Sequence, residues 1–359
     1  MKVVKIDKEN WAEGIEKIKE SYKVFGPSKS KEFHLFKELE KGEAPDLNFL
    51  NTRLSPKSMF FPQSEGILCY CLDPNKKDEC NIVKEIQKDY SPKAIIGIRP
   101  CDAKAFTLVR PNFDNEEYQD PYWIKAYDSI TFIGLACSNT DDSKKGMPCS
   151  SCFCTSAGCG PFNEEGLDAL IVNTDDGYII KALTNKGEEF LNKAELSANS
   201  NADELTANIN TLKKQAEEKI NSFVETDKLK DKILLDLHSA NFWDDECFAC
   251  INCGTCTYVC PTCWCFDIQD ENYGDSGVRF KQWDSCMYPL FTLHGSGHNP
   301  RSTKVQRFRQ RFMHKLKYYV DKYDNGIQCV GCGRCIRLCP VNIDIRKICN
   351  IMNSYEPAA

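Results

Sequence analysis

Nowhere in its 359 residues does the chain run to about 18 apolar residues in a row, so no transmembrane helix is expected. Met1 to Glu20 carries acids and lacks the apolar stretch of an export signal, so a cytoplasmic protein is expected. Four signatures are also missing: G-x-G-x-x-G after a strand, G-x4-G-K-[ST], H-E-x-x-H and G-x-S-x-G. The chain therefore has no fingerprint for nicotinamide, flavin or nucleotide binding, although flavin sites often lack one. Excess positive charge is absent too. Lys and Arg number 46 against 52 Asp and Glu, a formal charge of −6, which argues against nucleic-acid binding by the whole protein. With 42% hydrophobic and 27% charged residues, global disorder is excluded, and the length fits two domains.

What the chain has in plenty is cysteine, 22 residues in all. A disulfide scaffold is short and secreted, and this chain is neither, so in a reducing cytosol these thiols read first as metal ligands.

Residues 1–191 read as an α/β domain. Trp11, Ile15, Ile18, Tyr22 and Phe25 fall at helical spacing over Glu9–Phe25. Apolar runs at Gly66–Leu72, Ala94–Ile98, Ile130–Ala136, Leu167–Val172 and Tyr178–Leu183 read as strands, with helix as the alternative. Residues 192–240 read as a helical connector, because Leu205, Ile209, Leu212, Ala216 and Ile220 recur at three- and four-residue steps. A surface helix of the first domain explains that pattern equally well. Residues 241–359 hold 13 of the 22 cysteines and form a second, mainly α-helical domain of ferredoxin type.

That second domain contains one motif twice. Cys250, Cys253, Cys256 and Cys260-Pro261 follow C-x2-C-x2-C-x3-C-P, and Cys329, Cys332, Cys335 and Cys339-Pro340 repeat it 79 residues later. This is the [4Fe–4S] ligand run, in which the fourth cysteine serves the other cluster of a two-cluster ferredoxin. Cluster one is thus expected on Cys250, Cys253, Cys256 and Cys339, and cluster two on Cys329, Cys332, Cys335 and Cys260. Gly254, Gly331 and Gly333 let backbone amides approach the sulfurs, and the prolines turn the chain after the fourth ligand. Paired zinc knuckles fit worse, since zinc modules present C-x2-C pairs.

Cys101, Cys137, Cys152 and Cys154 lie near strand ends and in one loop, and are candidates for a third Fe–S cluster, with Cys149 and Cys159 as competitors. Buried small hydrophobes are the alternative. Cys263, Cys265, Cys286 and Cys247 read as packing around the clusters, and Cys69, Cys71, Cys80 and Cys349 as structural. From Arg301 to Lys322 there are eight Lys or Arg and one acid. Val305, Phe308, Phe312, Leu316 and Tyr319 trace one helical face, and Lys304, Arg307, Arg311, Lys315 and Lys322 another. The favoured reading is a solvated face; the alternatives are a dock for an acidic partner or an offset to anionic clusters. His294 and His298 read as loop residues, with proton carriage or metal ligation as the alternative.

Five stretches, Gly97–Asp102, Cys152–Ser156, Cys260–Cys265, Trp283–Cys286 and His298–Arg301, together with both cluster motifs, resemble the iron–sulfur beta subunit of cytosolic sulfhydrogenase-type [NiFe] hydrogenases. More loosely, the chain is similar to the dicluster iron–sulfur subunit of anaerobic sulfite reductases. The resemblance runs from about Phe60 to Ile345. It implies a dicluster domain joined to an α/β domain, in a hetero-oligomer with a flavin- and [2Fe–2S]-containing subunit that meets NAD(P)H and with a catalytic subunit. It also adds weight to the third metal site, although Cys159 and Cys149 depart from the family pattern there. The leading function is a non-catalytic electron relay. The alternatives are a thiol catalyst of disulfide reduction built on Cys263, Cys265 and Cys286, and a nucleic-acid-binding protein with structural metals.

Overall fold

The computed structural model describes residues 2–76, 82–138, 149–197 and 201–357. The strands are β1 (Val3–Ile6), β2 (Lys23–Ser30), β3 (Phe33–Glu38), β4 (Ser64–Cys71), β5 (Ile82–Glu85), β6 (Lys93–Ile98), β7 (Ile130–Leu135), β8 (Ala169–Thr174), β9 (Gly177–Ala182), β10 (Phe266–Tyr273) and β11 (Ser276–Trp283). The helices of the first half are α1 (Lys8–Ile18), α2 (Pro100–Val109), α3 (Pro121–Asp128), α4 (Asn185–Lys193) and α5 (Ala202–Glu218). Those of the second are α6 (Leu234–Ser239), α7 (Phe242–Cys247), α8 (Thr255–Tyr258), α9 (Lys304–Met313), α10 (Tyr319–Tyr323), α11 (Arg334–Arg337) and α12 (Ile345–Ser354). No helix among the described residues is long and apolar enough to cross a membrane.

Seven strands form one sheet in the order β1-β9-β8-β7-β6-β2-β3. Its centre, β2, β6, β7 and β8, is parallel. The apolar runs of β6, β7 and β8 suit this placement, because a parallel strand covered on both faces has no polar side to offer. One face packs Trp11, Ile15 and Ile18 of α1 and Phe190 and Leu191 of α4 against Ile96, Ile133 and Ile171. The other packs Phe106 of α2 and Trp123 of α3 against Ile95, Phe132 and Leu170.

The first helix is shorter than its spacing predicts. Asp7 caps α1, accepting from Asn10 N–H at 2.8 Å, but the helix ends at Ile18 and Val24 and Phe25 enter β2. Gly26 and Pro27 follow at once and are poor helix formers, and pairing with Ala94 and Ile95 satisfies the backbone instead.

Gly66–Leu72 is a strand with an unexpected neighbour. β4 pairs with β5 and with β11, giving a second, antiparallel sheet in the order β10-β11-β4-β5. The insertion between the two cysteine motifs is thus a hairpin, closed at Gly274-Asp275, that pairs with the N-terminal region. Trp264 reinforces the join, with ring centroids 4.6 Å from Phe61 and 5.4 Å from Phe60. In 192–240 the main helix is α5, whose Leu205, Ile209 and Ala216 bury in the core on one face of the seven-stranded sheet. The remaining core packs Trp243, Phe308, Phe312, Leu316, Ile348 and Met352 around the helices of the second half.

Candidate metal centres

The sequence repeat is also a backbone repeat. Asn252 and Gly254 have φ of 56° and 74°, and their equivalents 79 residues on, Gly331 and Gly333, have 63° and 69°. In each copy the second left-handed residue is the N-cap of a four-residue helix, α8 or α11. Left-handed residues in such turns point successive amides into one concavity. The Asn252 N–H accordingly donates to Cys250 Sγ at 3.4 Å, and the Gly331 and Arg334 amides serve Cys329 and Cys332. At the fourth position Ile343 N–H donates to Cys339 Sγ at 3.2 Å. Asn252 escaped the sequence reading, yet Asn is the residue after Gly that best tolerates this region.

Two cavities adjoin each other here. The first, about 470 Å³ including its mouth, is lined by Cys250, Cys253, Cys256 and Cys339 with Met287, Phe308 and Ile343. The second, about 330 Å³, is lined by Cys260, Cys329, Cys332 and Cys335 with Phe153 and Val330. Each cavity therefore gathers three thiols of one motif and the fourth of the other, and the first takes in Cys335 as well. Cys335, Arg311 and Ile345 belong to both walls.

Among the described residues, no three Cys, His, Asp or Glu side chains converge closely enough for a single ion. The thiols frame hollows of cluster size, which fits a cubane better than a zinc ion. Burial pushes the Cys335 thiol up to about 12 and raises those of Cys256 and Cys329. A metal bound by them would displace their protons. Arg311 is buried between the cavities, and its Nε has no partner among the described residues. An anionic cluster would answer that cation.

The basic stripe departs from its favoured reading. Arg307, Arg311, Lys315 and Lys317 are buried, so the solvated-face expectation is overturned for these residues. Carbonyls take the place of water. Arg307 donates to the Met287, Arg301 and Ser302 oxygens, and Lys317 to Leu229 O and Lys230 O. Lys315 sits in a π-helical turn, His314–Tyr318, which interrupts the α-helical path between α9 and α10. His294 and His298 lie exposed in a loop, where His294 N–H donates to His298 O.

A further cation comes from the N-terminal half. Lys57, in the short turn Pro56–Met59, donates to Cys260 O at 3.1 Å and Cys263 O at 2.7 Å. Burial pushes its ammonium down to about 8, against the upward pull of the Cys263, Cys260 and Cys265 thiols. Cys263 is hydrogen-bonded to Cys260, and Cys265 to Cys286.

The N-terminal candidates gather beside the second cavity. Cys154 interacts with Cys159, Cys137 and Cys152, while Cys101, at the start of α2, lies with Asp102, Cys332 and Arg334 and only then with Cys159. Their loop is locked to the second motif: Phe153 N–H donates to Gly331 O at 2.9 Å, and Arg337 to Ser151 Oγ at 2.7 Å. Arg334 and Asp102, both 0% exposed, form a two-pronged ion pair at 2.5 and 2.7 Å. No sequence signal had paired them. Cys69 and Cys71 lie in β4, and Cys349 is buried in α12. Cys80 and the side chain of Cys149 lie outside the described residues.

Residues 249–343 match a family described as a 4Fe-4S dicluster domain. Over 350 residues, 97% of each chain, the protein is 28% identical to sulfhydrogenase 2 subunit beta of Pyrococcus furiosus. No solved structure matches the chain. The chain thus combines a match to a 4Fe-4S dicluster domain in its second half with full-length similarity to a sulfhydrogenase beta subunit.

Proposed function

We propose that this chain is the electron-relay subunit of a cytoplasmic multisubunit oxidoreductase. It passes single electrons between a partner that binds flavin and NAD(P)H and a catalytic subunit of the [NiFe]-hydrogenase or sulfite-reductase kind. The observation that carries the reading is that Cys339 lines the first of two adjoining cavities and Cys260 the second, which supports an exchange of fourth thiols. [4Fe–4S] clusters, when bound, supply one-electron storage at each place. The chain's own residues do the rest: eight thiols hold, left-handed backbone points amides at sulfur, and Arg311 offsets negative charge from between the two. Cys253 is exposed beside Ile251 and Phe248, 62% and 85% exposed, which favours this edge as the place where another subunit exchanges electrons.

A third cluster on the N-terminal thiols belongs to the same proposal. Cys137, Cys152 and Cys154 would hold it, with Cys101 or Cys159 as the fourth ligand; the interactions of Cys154 favour Cys159. Anaerobic purification tests both parts. Counted on this chain after its partners are removed, iron of about eight per chain corresponds to two cubanes, and about twelve to three. Mass spectrometry of co-purifying chains should find a flavoprotein and a catalytic subunit, and a solitary chain would contradict the relay. The paired thiols Cys265 and Cys286 favour one other reading, thiol–disulfide exchange by this chain itself. Disulfide reduction by the isolated chain with an artificial donor would put that reading first.

A further inference from the structure

The two cavities differ in how charge reaches their sulfurs. Around the second, Lys315 Nζ donates to Thr262 Oγ1 at 2.7 Å, and Thr262 Oγ1 donates to Gln328 O at 2.9 Å and stands 3.2 Å from Cys260 Sγ. All three partners, Lys315, Thr262 and Gln328, are buried. An ammonium can only donate, so the Thr262 oxygen accepts from Lys315 and has one proton of its own to place. A Cys260 thiol could donate or accept, but a metal-bound thiolate only accepts. In this structure the Thr262 proton goes to Gln328 O, which also accepts from Lys315 at 3.5 Å. A thiolate at Cys260 would draw that proton to sulfur and complete a charge-assisted chain from Lys315 through Thr262 to Cys260 Sγ.

Among the described residues, no such chain reaches the first cavity. Arg311 is shared by both, Arg307 is spent on three carbonyls, and Lys304 donates to Phe248 O at the surface. Of the other cations near the second cavity, Arg334 is neutralised by Asp102, and Lys57 reaches the Cys260 and Cys263 carbonyls. The second cavity is also the more buried, and burial disfavours added negative charge. Hydrogen bonds to ligand sulfur and nearby cations act the other way.

Resting on the dicluster reading, we propose that Lys315 and Thr262 are positioning residues that raise the reduction potential of the Cys260–Cys329–Cys332–Cys335 centre alone. Lys315 thereby offsets the burial of that centre and keeps it in electron exchange with its exposed neighbour. The step is the gain of one electron. No bond forms or breaks, and the added charge is what the Lys315–Thr262–Cys260 chain stabilises.

The test is a mediator-controlled redox titration by low-temperature electron paramagnetic resonance on the complex purified anaerobically. Of its two dicluster waves, the one altered by Cys253→Ser belongs to the first centre. In Lys315→Met the other wave should move to lower potential, so that at its former midpoint the reduced-to-oxidised ratio falls about tenfold, or about 59 mV for one electron. Thr262→Val should shift the same wave in the same direction by less, and Thr262→Ser, which keeps the hydroxyl, should leave it in place. If Lys315→Met loses iron, the Val and Ser pair at 262 decides by the same readout. Waves that stay put at full iron content, or that fall together, would overturn the proposal. A wild-type protein with no pair of such waves would instead remove the dicluster reading beneath it.

Discussion

The two cysteine motifs share ligands, spacing, left-handed residues and helical caps, yet they sit in different worlds. The Cys250 copy reaches the surface, with Cys253 exposed and apolar Phe248 and Ile251 beside it. The Cys329 copy lies against the N-terminal half, under the loop of Phe153, beside Lys315 and behind the Arg334–Asp102 pair. The ligand run fixes what kind of centre forms. The surroundings decide which centre faces a partner and which is tied to the rest of the chain.

Asp102 offers the strongest way to break that contrast. Asp102→Ala would strand a buried guanidinium, which costs about 3–5 kcal/mol. Chemical denaturation should show that loss, and the Cys329 centre should be lost ahead of the Cys250 centre. The equivalent glycines sharpen the comparison next. A methyl group on Gly333 would lie 2.4 Å from Ser151 Oγ and 2.7 Å from Ser151 O, whereas on Gly254 its nearest neighbours would be the Tyr288 hydroxyl at 2.9 Å and ring edge at 3.0 Å. Both positions have positive φ, which alone costs about 1–2 kcal/mol for Ala. Gly333→Ala should therefore exceed Gly254→Ala by about 1 kcal/mol or more in the same denaturation series, because backbone yields less than a side-chain end.

Arg311 touches both sides of the contrast. Arg311→Met should lower both redox waves, where Lys315→Met lowers one. The smallest effect is kinetic. Under a chelator or limited air, absorbance from the exposed Cys250 centre should bleach about five times faster than the rest, and equal rates would argue against the difference in exposure.

Much of this was legible in the chain. The eight motif cysteines, their 79-residue offset and the strands β6, β7, β8 and β9 could be read because each is a local pattern. The buried cations could not. Val305, Phe308, Phe312, Leu316 and Tyr319 make an ordinary amphipathic stripe, and only the acceptors brought in by other segments let Lys315 and Arg311 bury. One signal was available: eight cations against a single acid in a segment preceding a cluster motif. The hairpin of β10 and β11 was missed because β10 is exposed from Ile268 to Tyr273 and shows no buried face, and because β11 pairs with β4, about 200 positions away. Asp102 and Arg334 lie farther apart still, and nothing in either motif announces the pair.

The exchange of fourth ligands is the central claim, and Cys339→Ser tests it most directly. Spectra of the anaerobically purified variant should show the centre of Cys250, Cys253 and Cys256 altered or lost while the Cys329, Cys332 and Cys335 centre keeps its wild-type signal. Loss of the Cys329 centre alone would contradict the account.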